Sequence, residues 1–400
     1  MKTYPILILL ASTLLFACSQ KPLSKEEYLS QNKVEVNFSE MDDLSDLRIL
    51  DTKTGAKVFL GGETHQVACN PHIQFKLLKY LHQNADVRYC MLELPHSFAW
   101  TYNKELEKDS MANWMANEPF YRMVYEYNQI LNVSERIRFI GADIERFQQQ
   151  TLFVLNELIK SDAELPEAIS LRMGSISDLC EDLMKTRMMN DSISTSLRQL
   201  AYDLQSHLEV EKAAYSGYLL ENYIDFEVIV NSLVGGYEAK WGESGELDNE
   251  QEIGVREKSM FNTFAKFYPH LKGNVFGQWG SMHVRQDTTG IERLNDETET
   301  WTNPETFAYQ LNHHPNSPVR GKVISIGYNY VNCFTSQLNR QHTDERIPTK
   351  SILDKVTENE LIETSESDFT LFRLNSGNSP FTDLSADFQY ILLIQNQLAQ

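Results

Sequence analysis

Short apolar runs alternate with helical patterns between residues 58 and 140, and this alternation limits the possible folds more than any other feature. The run Val58–Leu60 is followed by a helix predicted over about 71–84, where a proline suits the first turn. Further strands are predicted at Val87–Leu92 and Ile137–Ile140, with helices between them. The sequence therefore predicts an α/β fold, in which helices flank a central, largely parallel or mixed sheet.

The region from about residue 148 to residue 250 predicts helices and no convincing strand, so we expect a helical insertion packed over one rim of the sheet. The acidic, glycine-containing stretch Trp241–Gly254 fits either a solvated connector or a mobile loop near a site. A helix is predicted at 255–267, strands at 274–279, 322–328, 369–372 and 388–394, and polar surface loops at 296–321 and 340–366.

The N-terminus has the pattern of a bacterial lipoprotein signal, with Lys2, the apolar run Ile6–Phe16 and a lipobox at Leu15–Cys18. Cleavage before Cys18 would leave its thiol to carry lipid, which anchors a protein in the cell envelope, here on either face of the outer membrane. An ordinary cleaved secretory signal is the alternative. We predict a signal peptide at 1–17, a polar tether at 18–42 and one folded domain at 43–400.

The chain is strongly acidic, with a formal net charge of −20. This charge repels phosphate backbones, so nucleic acid is not an expected partner. Besides Cys18 the chain has four cysteines, and export permits three different pairings among them. None has the Cys-x-x-Cys spacing, so neither a structural zinc site nor a thioredoxin-type pair is indicated.

Polar side chains follow four of the predicted strands. Glu63 and His65 come after the first strand, Glu93 after the second, Asp143 after the third, and His283 after the strand at 274–279. Because parallel strands end at the same edge of a sheet, these side chains are candidates for one site.

A carboxylate beside a histidine fixes its tautomer and raises its basicity, so Glu63 and His65 suit general-base chemistry, with a purely structural pair as the alternative. Arg256 either clamps an anionic group, pairs with Glu93 or Asp143, or forms a surface salt bridge at the start of a helix. Two histidines with several carboxylates bind a divalent metal that acidifies water, or activate water without a metal. The sequence requires no cofactor and does not decide between these two modes.

The order of these motifs resembles the erythromycin esterase family, within the wider erythromycin esterase/ChaN-like superfamily. The resemblance covers roughly Asp43 to the C-terminus. It rests on Leu60–His65, Leu92-Glu93, Glu126–Asn128, Ile140–Ile144, Arg256-Glu257 with Met260, Met282–Val284 and Ile324–Gly327. It implies an α/β core with helical additions and the hydrolysis of an ester or ester-like bond of a small molecule by direct attack of water.

The resemblance also implies roles for single residues. His65 would act as general base on a water, with Glu63 beside it. Glu93 and His283 would share its cleft, and Arg256 would lie nearby. The candidate substrate-binding residues are Asp143, Gly62, Glu257 and His72 on the first helix.

Three positions depart from the family's pattern. Gly62 stands where the family usually has Glu, Gly280 replaces the first His of its final motif, and Gln74 replaces an Arg. The substrate is therefore left open.

The Glu-x-His spacing and His72 are also similar to the ChaN-type haem-binding lipoproteins. A haem- or ligand-binding lipoprotein is thus the alternative function, and a catalytically degenerate relative is a third.

Overall fold

The computed structural model describes residues 23–159, 164–239, 250–287, 293–295, 300–302, 305–338 and 344–397. The strands are β1 (Lys33–Glu35), β2 (Val58–Glu63), β3 (Val87–Pro95), β4 (Arg138–Asp143), β5 (Asn274–Gly280), β6 (Arg293–Asn295), β7 (Thr300–Thr302), β8 (Val323–Val331), β9 (Phe334–Leu338), β10 (Asp344–Pro348), β11 (Phe369–Arg373) and β12 (Tyr390–Gln395). The helices are α1 (Lys25–Gln31), α2 (Asn70–Ala85), α3 (His96–Leu106), α4 (Asn113–Ala116), α5 (Pro119–Gln129), α6 (Gln148–Leu158), α7 (Glu167–Thr186), α8 (Asp191–Val210), α9 (Lys212–Leu219), α10 (Tyr223–Glu238), α11 (Glu250–Phe267), α12 (Phe307–His313), α13 (Lys355–Thr364) and α14 (Thr382–Asp387).

One mixed sheet forms the centre of the protein, with the strand order β1-β11-β12-β8-β2-β5-β3-β4. The six strands from β12 to β4 pair in parallel, while β11 pairs antiparallel with both β12 and β1. This confirms the predicted α/β fold. Glu63 at the end of β2 lies opposite Gly280 at the end of β5, so the parallel strands finish at a common edge.

Alternate residues of each strand point to opposite faces of the sheet, and each face carries its own hydrophobic core. Phe59 of β2 packs into the core beneath α2 and α5, where Leu77 is 1% exposed. Its neighbours Val58 and Leu60 pack into the other core with Phe264 of α11. Cover on both faces is typical of parallel sheets.

The segment predicted as a helical insertion forms α6 to α10, which share a separate hydrophobic cluster that includes Leu155, Leu197 and Phe226. Helix α10 lies against the end of β4, because the hydroxyl of Ser232 donates to the carbonyl of Asp143 at 2.9 Å. Residues 241–249 of the predicted loop lie outside the described residues. The last five residues of that loop, 250–254, belong to α11 instead.

Much of the predicted tether is folded, which corrects the expected domain boundary. Helix α1 buries Tyr28 and Leu29, which are 1% and 0% exposed. Strand β1 completes the sheet through the pairing of Val34 with Leu371 of β11. The prediction is therefore wrong from residue 25 onward, because these residues close one edge of the sheet and one core. The signal peptide and Cys18 lie outside the described residues.

Two stretches predicted as surface loops also contain helices with buried residues, α12 and α13. In α12, Phe307, Ala308 and Leu311 are all 0% exposed, although the surrounding sequence is polar. In α13, Asp354 caps the helix by accepting the backbone N–H of Thr357 at 3.0 Å. Both helices are short and depend on tertiary packing, so their weak local pattern did not reveal them.

The four cysteines at positions 69, 90, 180 and 333 are free thiols in this structure, and all but Cys69 are buried. Within the ranges given above, no helix combines the length and the apolar character that crossing a bilayer requires.

Candidate active site

The ends of the parallel strands bring together a compact group of charged side chains. Glu63 ends β2, Glu93 lies near the end of β3, Asp143 ends β4, and His283 follows β5 in a turn. Arg256 reaches this group from α11 and contacts three of its members. The structure thus unites residues that are far apart in sequence, as the strand-end argument predicts.

His65 is paired with Glu63 at the open side of this group. Its Nδ1 lies 2.8 Å from Glu63 Oε1, and its side chain is 57% exposed. A carboxylate accepts a hydrogen bond, so Nδ1 carries the proton and Nε2 carries the lone pair of the neutral ring. The hydrogen bond to Glu63 raises the pKa of His65 above its usual value. Nε2 lies 3.6 Å from Glu93 Oε2.

Glu93 is the central acceptor of the group. Its Oε1 accepts from Arg256 Nη2 at 3.1 Å and lies 3.3 Å from His283 Nε2, while its Oε2 accepts the backbone N–H of Gly280 at 2.7 Å. Burial opposes its ionisation, but the charges of His283, His65 and Arg256 hold its pKa well below the usual range. Glu93 is therefore an anion that links the two histidines.

Asp143 and Arg256 form a bidentate ion pair inside the protein. Arg256 donates through Nε and Nη2 to the two carboxylate oxygens at 2.8 and 2.9 Å. Asp143 is 0% exposed and also binds Arg146 Nη1 at 3.1 Å. The surface salt bridge considered for Arg256 is ruled out, because this residue is only 8% exposed.

His283 is held by Glu257, the residue that follows Arg256 on α11. Its Nδ1 lies 2.5 Å from Glu257 Oε1, and Glu257 Oε2 accepts the backbone N–H of Phe307 at the start of α12. Burial disfavours a charge on His283, but the carboxylates of Glu257 and Glu93 raise its pKa to about 10. His283 is thus a buried cation near neutral pH.

Two glycines allow the strand ends to approach one another. A Cβ atom at Gly62 would lie 2.3 Å from Val284 Cγ2, and one at Gly280 would lie 3.2 Å from His65 Nε2. Gly62 therefore provides room for the turn after β5. Gly280 lies directly beside the ring of His65.

His72, a further candidate, is exposed in the first turn of α2, and no described contact joins it to the group. Two further residues of the group were not predicted from the sequence. Gln278 binds Glu63 Oε2 through its amide nitrogen, and Arg146 binds Asp143. A polar residue in the middle of the buried run of β5 was the available signal for Gln278.

The group does not fit a metal ion or a haem held by both histidines. Arg256 already supplies the positive charge between Asp143 and Glu93. Both ring nitrogens of His283 face carboxylates, so neither is directed towards a metal. Over the part of the chain that the structure describes, no cluster of His, Cys, Asp and Glu has the arrangement of a metal site.

The charge on His283 predicts a loss of stability at alkaline pH. Its folded pKa of about 10 lies above its ordinary value of 6.5, so the stabilisation is complete below pH 6.5 and is lost as the pH rises through about 10. We expect the difference in unfolding free energy between the wild type and His283→Gln to shrink by roughly 1.4 kcal/mol per pH unit in this window. Urea denaturation at several pH values measures this difference. Groups that titrate in both proteins contribute equally to the two unfolding free energies, so their contributions cancel. A difference that stays constant with pH would contradict a charged His283.

Fold and charged group together define an α/β protein with a histidine–carboxylate–arginine site at the ends of parallel strands. A mutant of erythromycin esterase EreC in its open conformation has this fold, with a TM-score of 0.65 over 92% of this chain and 97% of that one. A Bacillus cereus protein matches with a TM-score of 0.70 over 95% and 99%, and a succinoglycan biosynthesis protein with 0.66 over 94% and 97%. Each is 13% identical to this chain, so the likeness is one of fold.

No protein-family model and no curated protein sequence matches the chain. The haem-binding ChaN of Campylobacter jejuni matches with a TM-score of only 0.29, which is too low to support the haem alternative.

Proposed function

We propose that this protein is a hydrolase of the erythromycin esterase family, which cleaves an ester or ester-like bond by direct attack of water. His65 is the proposed general base. The observation that carries the proposal is its geometry: Nδ1 is bound to Glu63 at 2.8 Å, while the ring is 57% exposed at the strand edge. A histidine fixed in this way offers Nε2 to a water molecule.

In the proposed reaction, the oxygen of a water molecule attacks the carbonyl carbon of the ester while His65 Nε2 takes its proton. The imidazolium that forms is stabilised by Glu63 and by Glu93, whose Oε2 lies 3.6 Å from Nε2. When the bond between the carbonyl carbon and the leaving oxygen breaks, His65 returns the proton to that oxygen. The products are a carboxylic acid and an alcohol.

We assign Arg256 a positioning role in place of direct contact with the oxyanion. Its guanidinium is bound to Asp143 and Glu93 and is only 8% exposed. Together with His283 it compensates the negative charge of Glu93. Glu93 can therefore stay ionised and buried beside the base.

The proposal includes attachment to the cell envelope through lipid on Cys18, which the lipobox Leu15–Cys18 supports. Labelling with palmitate tests this part, and label that remains after Cys18→Ser would overturn it.

A screen of carboxylic esters and lactones tests the reaction itself. We expect turnover of at least one substrate class by the purified protein, with the same rate after treatment with a chelator. No metal is needed to compensate the negative charge of Glu93, because Arg256 and His283 already do so. A folded protein that hydrolyses nothing in the screen would favour the degenerate relative. Activity that is lost with the chelator and restored by a divalent metal would overturn the metal-free mechanism.

A further inference from the structure

A buried chain of hydrogen bonds runs behind the Glu63–His65 pair and crosses three strands. Tyr328 of β8 donates to Gln278 Oε1 of β5 at 3.1 Å. The amide nitrogen of Gln278 donates to Glu63 Oε2 of β2, whose other oxygen binds His65. We propose that Tyr328 and Gln278 are positioning residues, which hold the Glu63 carboxylate so that His65 keeps its proton on Nδ1. The value of this tautomer for catalysis rests on the function proposed above.

Each link of the chain has only one possible direction. The amide nitrogen of Gln278 faces two acceptors, the Glu63 carboxylate and the backbone carbonyl of Asn70 at 3.4 Å, so the amide oxygen faces Tyr328. Tyr328 is 0% exposed, and burial raises its pKa well above the usual value. Its hydroxyl therefore keeps its proton and donates.

Gly61 leaves room for this chain of hydrogen bonds. Strand β2 lies between β8 and β5, and Gly61 is the register partner of Gln278. A Cβ atom at Gly61 would lie 2.3 Å from the hydroxyl oxygen of Tyr328. Any other residue would therefore push this hydroxyl away from Gln278. The first glycine of the Gly-Gly-Glu motif thus serves the hydrogen-bond chain that ends on His65.

Loss of the Tyr328 hydroxyl removes the donor that binds the amide oxygen of Gln278. That oxygen is then buried without a hydrogen-bond partner, so the amide would move to find one and draw its nitrogen away from Glu63. Glu63 would shift and weaken its bond to His65. The other titratable groups that face His65 are Glu93, which raises its pKa, and His283, which lowers it, and both remain in place.

Nuclear magnetic resonance titration of the His65 ring in the full chain tests this proposal without any substrate. The signal is assigned by its absence in His65→Gln, and Glu63→Gln gives the reference for a ring without its carboxylate. We expect Tyr328→Phe and Gln278→Met to shift the midpoint of His65 down by roughly half a pH unit or more, towards that reference. Nitrogen shifts should also show a larger share of the Nε2–H tautomer.

Tyr390→Phe is the matched control, because it also removes a buried hydroxyl, on the strand next to β8. That hydroxyl accepts the backbone N–H of Asp51 at 2.9 Å and has no part in the chain to His65. We expect the wild-type midpoint and tautomer in this variant. If Tyr328→Phe does not fold, Gln278→Met decides alone. A wild-type midpoint and tautomer in the folded variants would overturn the proposal.

This readout separates the two proposals. If no ester is hydrolysed in the screen, the titration result remains valid. If His65 in Tyr328→Phe keeps the wild-type midpoint and tautomer, the positioning role is overturned even when esters are hydrolysed. Where turnover is found, kcat/KM in Tyr328→Phe should fall about tenfold to a hundredfold, with its acidic limb moved to lower pH.

Discussion

Replacing Arg256 by methionine is expected to lower the free energy of unfolding by about 3–5 kcal/mol. Methionine fills a similar volume but donates no hydrogen bond. Asp143, which is 0% exposed, would lose two bonds of 2.8 and 2.9 Å, and Glu93 would lose one of 3.1 Å. Removing one partner of a buried ion pair leaves a desolvated charge that the remaining contacts only partly compensate. Urea denaturation near pH 7 measures the effect.

Arg138→Met is the control for this experiment. Arg138 lies 3.9 Å from Glu107 on the surface, and the two side chains are 61% and 58% exposed. Exposed ion pairs contribute about 0–1 kcal/mol, so this variant should stay close to the wild type. Equal stability of Arg256→Met and the wild type would contradict the account of a buried, mutually dependent group of charges.

Replacing His65 by glutamine is expected to lower kcat/KM for an ester by about 10²–10⁴-fold, which is the usual contribution of a general base. Glutamine keeps a polar side chain next to Glu63 but has no basic nitrogen. The fold should be unaffected, because the His65 side chain is 57% exposed. In the wild type, kcat/KM should fall as the pH drops through the pKa of His65, which Glu63 raises above its usual value. That acidic limb should be missing from His65→Gln.

His313→Gln provides the comparison for the same exchange elsewhere. His313 is exposed on α12, where its ring packs against Tyr309 with centroids 4.8 Å apart. The activity and pH profile of the His313→Gln variant should match those of the wild type. If His65→Gln retained more than a tenth of the wild-type activity, a different group would have to activate the water.

The strands and helices that the sequence predicted well are those with a strong local pattern. In α2, a proline near the start and apolar residues on one face mark a helix before any partner is known. The runs of β2 and β3 are continuous and apolar because both faces of a parallel sheet are covered. By contrast, β1 has only three residues, and its partner β11 lies more than three hundred residues later in the chain. Such pairing leaves no local signal.

The candidate site was likewise predictable from the sequence only where the signal is local. That Glu63, Glu93 and Asp143 stand at strand ends follows from the sequence, because each comes after an apolar run. The partner of Arg256 was left open between two carboxylates, and the structure shows that it binds both. Whether the charge of a histidine is stabilised depends on contacts of this kind, which no spacing in the sequence specifies.

The sequence by itself determined the α/β fold and the strand ends at which charged residues collect, since hydrophobic periodicity and glycine positions act over a few neighbouring residues. Only the tertiary structure decided that His65 is half exposed and paired with Glu63, that His283 is a buried cation, and that Gly61 makes room for Tyr328. These properties depend on distances between strands and on burial. Both are set when distant segments pack against one another.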